Sequence, residues 1–194
     1  MLLLALIALT TLAANGARRL RYMATAFVAV SLSANVVGAL ETTLPLLTVT
    51  VCAGVVAGGI LFVAAGDARY GEEPGWRLWL ATIVAAAATP VAYATFRLGT
   101  AAPALDLVLP DPDGVALQVA AFWLLASGMA ILITARTAVR GTLGALLMIT
   151  GVQLLVRLLP IPQLTYTLLL AWLEVVIALA GAFLVVNERA VLEA

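Results

Sequence analysis

Seven apolar runs, each close to the length of a bilayer crossing, fill this chain at residues 2–17, 22–40, 43–66, 78–96, 115–134, 142–160 and 163–186. A hydrocarbon core of about 30 Å takes about 20 helical residues, and backbone facing lipid has to satisfy its own hydrogen bonds. A barrel would show alternating segments of roughly ten residues instead. The expectation is an all-α integral membrane protein with seven transmembrane helices, multi-pass in the inner membrane of the cell. Apolar residues make up 64% of the chain and charged ones 10%, far from the balance of a soluble domain. Within 194 residues such spans leave no room for a folded catalytic domain, so no catalysis is expected from this chain alone.

Arginine placement orients the bundle. Arg18, Arg19, Arg21, Arg69, Arg77, Arg136, Arg140 and Arg189 fall on one side of the seven runs, and Arg97 and Arg157 on the other. The positive-inside rule then makes the first side cytoplasmic, with the N-terminus outside and the C-terminus, Asn187 to Ala194, inside. The basic cluster follows the first run rather than preceding it, which favours a retained helix over a signal peptide. Pro90 within the fourth run removes a backbone donor and crowds the carbonyl of Ala86, so a kink is expected there.

Glu174 lies near the middle of the last apolar run. A carboxylate at mid-bilayer costs roughly 2.5 to 3.5 kcal/mol even on the mildest insertion scales, so it is expected to face the bundle interior and handle an ion or a proton. The alternative is a permanently neutral carboxyl hydrogen-bonded to one neighbour. Gln153 and Arg157, four residues apart, share a face of the sixth helix. The short connection Pro160-Ile161-Pro162 makes the sixth and seventh helices an antiparallel hairpin. At about 1.5 Å per residue, Glu174 and Gln153 differ in depth by roughly 7 Å, and Arg157 lies about 13 to 14 Å above Glu174. No direct Arg157–Glu174 pair is expected. A water chain from Glu174 through Gln153 towards Arg157 fits these depths, with Arg140 and Arg136 at the cytoplasmic entry.

Other polar and small residues read more simply. Gly54 and Gly58 have the small-xxx-small spacing that lets helices approach closely, with Gly59 widening the groove. Asn35 and Gln118 are expected to hydrogen-bond across helices, and Cys52 is read as a small buried hydrophobe. The chain has no histidine and a single cysteine, which removes the usual haem and transition-metal ligands. Neither a metal nor a cofactor is expected. Asp106, Asp111 and Asp113 lack the spacing of a calcium loop and read as a turn. No basic arm for nucleic acid is present. The polar stretch from Asp67 to Arg77 reads as a solvated joint.

The run Arg140-Gly141-Thr142-Leu143-Gly144-Ala145-Leu146-Leu147-Met148-Ile149-Thr150-Gly151-Val152-Gln153-Leu154, followed by a helix with a central acid and the closing Asn187-Glu188-Arg189, resembles the hairpin of the small three-helix subunit K of respiratory complex I. With four further helices in front, the whole chain resembles hydrogenase-4 component E, a seven-helix membrane subunit with a K-like C-terminal half. The resemblance divides the chain into a four-helix part, 1–114, and a K-like part, 115–194. It implies a subunit of a redox-driven proton- or sodium-translocating complex, lying between antiporter-like and membrane-anchor subunits and in contact with lipid. Glu174 then takes the place of the K-like acid on a lateral ion route. Gln153 stands where the K family has a second acid, and Ile149 where component E has an acid near Met148. Two other readings stay open: a stand-alone proton-coupled transporter with Glu174 as its coupling residue, and a purely structural accessory subunit.

Overall fold

The computed structural model describes residues 2–17, 19–39, 43–66, 75–99, 112–158 and 163–193. Seven α-helices account for nearly all of them: α1 (Leu2–Gly16), α2 (Leu20–Gly38), α3 (Leu44–Ala65), α4 (Gly75–Gly99), α5 (Pro112–Thr134), α6 (Ala138–Val156) and α7 (Gln163–Glu193). No strand occurs among the described residues. Six helices are long and apolar enough to cross a membrane. The first, with 15 residues, is about 22 Å long, short of the hydrocarbon thickness. α4 continues unbroken through Pro90, as membrane helices allow where neighbouring groups take up the freed carbonyl. The Asp67–Arg77 stretch is described only from residue 75, and the loop aspartates and the Pro160–Pro162 connection lie outside the described backbone or side chains.

The helices pack as two layers. α1, α2 and α3 stand side by side, as do α4, α5, α6 and α7; α1 lies over α4 and α5, α2 over α5 and α6, and α3 over α7. Helices of the two expected parts, before and after residue 114, thus pack directly on each other. Phe27, Leu124, Leu146 and Leu147 fill the space between layers and have no solvent exposure. Hydroxyls in this apolar setting fold back onto carbonyls of their own helix: Thr11 donates to Ile7 at 2.7 Å, Thr89 to Ala85 at 2.7 Å and Thr150 to Leu146 at 3.0 Å. Each bond satisfies a donor that lipid cannot.

The tightest helix crossing was not among the sequence expectations. At Gly128 a Cβ would lie 2.5 Å from the carbonyl oxygen of Gly144, and at Gly144 it would lie 2.8 Å from that of Gly128. α5 and α6 therefore touch backbone to backbone, and Gly151 continues the seam, where a Cβ would lie 3.0 Å from the Ala121 carbonyl oxygen. Gly54 and Gly58 act similarly between α3 and α2, where a Cβ would overlap Ser31 and Val28 respectively.

One end of the bundle collects basic residues. The Arg21 guanidinium sits 5.2 Å over the Phe62 ring near the end of α3, and Arg140 Nη2 donates to the Asn15 carbonyl at 3.2 Å. Glu188 Oε2 accepts from the Ala138 backbone N–H at 3.0 Å, capping the start of α6 from α7. Arg189 lies against Gly66, whose φ of +53° is one that glycine adopts without cost. Arg157 lies at the opposite end, at the close of α6. Arg18 and Arg69 are outside the described residues.

Gly144→Ala should cost about 1–3 kcal/mol through backbone overpacking. Gly59→Ala, where a Cβ meets nothing within 4 Å, should cost nothing. Unfolding midpoints in detergent check this contrast, and equal losses at the two positions would contradict the packing described.

Candidate functional site

α2, α3 and α6 each turn a pair of residues one helical turn apart towards the space beside α7. The pairs are Ser31 and Asn35, Gly54 and Thr50, and Gln153 and Arg157. Residues four apart share a face and differ in height by about 6 Å, so the pairs form two polar rungs. In the lower rung Gln153 Nε2 donates to Glu174 Oε2 at 2.9 Å. In the upper rung Arg157 Nη2 donates to Asn35 Oδ1 at 2.6 Å and to Thr50 Oγ1 at 3.1 Å. Thr50 Oγ1 also lies 2.5 Å from Asn35 Oδ1, and Asn35 Nδ2 donates to the Ser31 carbonyl at 2.9 Å.

Glu174 has no solvent exposure, so the expectation that it faces the bundle interior is met. Its contact with Gln153 is direct; two long side chains close the difference in backbone depth without an intermediary. The other carboxyl oxygen, Oε1, has no hydrogen-bond partner among the described residues. It points to Gly54, where a Cβ would come within 3.5 Å of it and would overlap Ser31 Oγ. Glycine is required at 54 because Ser31 and the carboxyl approach the same spot from two helices. The arrangement gives the carboxyl one fixed donor and one open acceptor, which suits a group that takes up and gives back a small cation.

Arg157 and Glu174 do not pair, in agreement with their depths. Arg157 is instead tied to α2 and α3. Asn35, expected to bond across helices, does so to two of them at once. Thr50 and Ser31 are members that sequence reasoning missed. A threonine in an apolar helix normally bonds its own backbone, and Thr50 does so as well, to Leu46 and Leu47, so only its position one turn from Gly54 carried any signal.

Arg140, expected at the basic entry rather than beside Glu174, is buried thirteen residues along α6 from Gln153, about 20 Å away. Two expectations fare differently. Gln118 is fully buried, and neither of its amide atoms meets a partner among the described residues, so no bond across helices is formed there. Cys52 is exposed rather than buried, because Thr50, Gly54 and Leu61 turn the opposite face of α3 inward. No group of three or more potential metal ligands occurs among the described residues.

Asn35→Leu removes the oxygen that serves both Arg157 and Thr50, and should lower stability by about 1–3 kcal/mol because a buried cationic donor loses its shorter acceptor and Thr50 loses a partner across helices. Thr50→Val should cost less, since Asn35 still holds the guanidinium. Thermal unfolding in detergent orders the two, and the reverse order would refute the upper rung.

No family model matches the chain, and no curated protein or solved structure is detectably similar to it.

Proposed function

We propose that this chain is a membrane subunit of a redox-driven, proton- or sodium-translocating assembly of the complex I or group 4 hydrogenase type, in which Glu174 contributes a buried acid to a lateral ion route. One observation carries the reading: a fully buried carboxyl, bonded through one oxygen to Gln153 and open at the other, at the foot of polar rungs built from four helices. Burial of such a group without a full set of partners costs stability, and exchange of a small cation is a function that repays it. In this reading the end with Arg19, Arg21, Arg140 and Arg189 is cytoplasmic, the chain is multi-pass in the inner membrane, and its apolar flanks meet lipid together with antiporter-like and anchor subunits. The resemblance of residues 140–189 to the K-type hairpin supports this setting.

Glu174→Gln preserves the shape and still accepts from Gln153, but it cannot ionise. It should leave the assembly intact and cut ion translocation coupled to electron flow, measured as ion uptake per electron in sealed vesicles. Unchanged coupling would reject the role of Glu174. Mild purification should yield a larger hetero-complex, whereas a folded, active homo-oligomer would favour the stand-alone transporter.

A further inference from the structure

The polar groups around Glu174 are distributed on one side of it. Towards the close of α6 stand Gln153, Asn35, Thr50 and Arg157, and α2 ends at Gly38, one turn beyond Asn35. Gly38 lets the Arg157 guanidinium lie across that end, since a Cβ there would overlap Nη1. Towards the basic end the surroundings are different. From Glu174 to Glu188, about 21 Å along α7, the facing positions Ala57, Leu61, Leu146, Ala178 and Val185 are apolar and at most 2% exposed. Gly181 is pressed onto the Thr142 side chain. The hydroxyls of Thr142 and Thr150 on this stretch of α6 are committed to Ala138 and Leu146 of their own helix.

We infer that the Glu174 carboxyl opens to one face of the membrane only, the face on which Arg157 lies, with the Arg157 side chain as its cover, and that close apolar packing seals it from the basic end. The ligand admitted is a small cation, with the water that accompanies it. The meaning of this opening rests on the proposed ion-exchanging role of Glu174, but the opening itself is a separate property. On this stretch of α6 the hydroxyls of Thr142 and Thr150 are already bonded within their own helix, so passage to the basic end requires a neighbouring chain or a change in packing between α3, α6 and α7.

Single cysteines placed by Gln153→Cys, Ser31→Cys and Ala178→Cys in the full chain with Cys52→Ala test the sidedness, with Arg19→Cys marking the basic face. The probe is silver ion, a small thiol-reactive cation, applied to sealed membrane vesicles of each orientation and read as loss of later maleimide labelling. Cysteines at 153 and 31 should react from the face opposite Arg19, faster when Arg157→Ser uncovers the opening, and that at 178 from neither. Reaction of 153 or 31 from the Arg19 face, or silence of both from the opposite face even with Arg157→Ser, overturns the inference. One-sided reaction together with unchanged coupling in Glu174→Gln would retain the opening and reject the ion-carrying role.

Discussion

A polar side chain within a bilayer has to find its partners inside the protein, because lipid offers none. That constraint organises the bundle around Arg157. Arg157 is 6% exposed and its guanidinium bonds both Asn35 of α2 and Thr50 of α3, so three helices meet where one cationic group needs acceptors. A single interhelical hydrogen bond in a membrane is worth roughly 0.6 kcal/mol, too little to hold helices together alone. Its value here lies in register. Once Asn35, Thr50 and Arg157 share a level, Ser31, Gly54 and Gln153 share the level below, and the carboxyl of Glu174 is met there by Gln153.

Glycine supplies the complementary part of the design. Polar pairs fix levels, whereas small residues fix distances. The backbone contact of Gly128 and Gly144 draws α5 against α6, and Gly54 and Gly58 draw α3 against α2. At Gly54 the two roles meet, since the missing side chain is what lets Ser31 and Glu174 converge. The site is therefore a product of packing as much as of its polar residues.

Much of this was legible beforehand. Run lengths located the helix ends to within four residues, because long apolar runs have few alternatives, except that α7 continues seven residues past Val186. The inward aim of Glu174 followed from the cost of burying charge, and the absence of an Arg157–Glu174 pair from counting residues about the connection. Partner identity was not legible. Which helix meets Asn35 depends on the two-layer order, and nothing in the sequence of α2 names α6. Gly128 and Gly144 were invisible for a related reason: the spacing that flags a close contact was sought within one helix, and here it is shared between two.

α7 has 31 residues, about 46 Å of helix, well beyond a hydrocarbon core of about 30 Å. Its far end is not idle, since Glu188 caps α6 and Arg189 rests at Gly66 of α3. Those anchors clamp the helix against rotation about its own axis. The azimuth of the buried carboxyl is consequently set in part from some 21 Å away, by contacts that share no residue with the polar rungs.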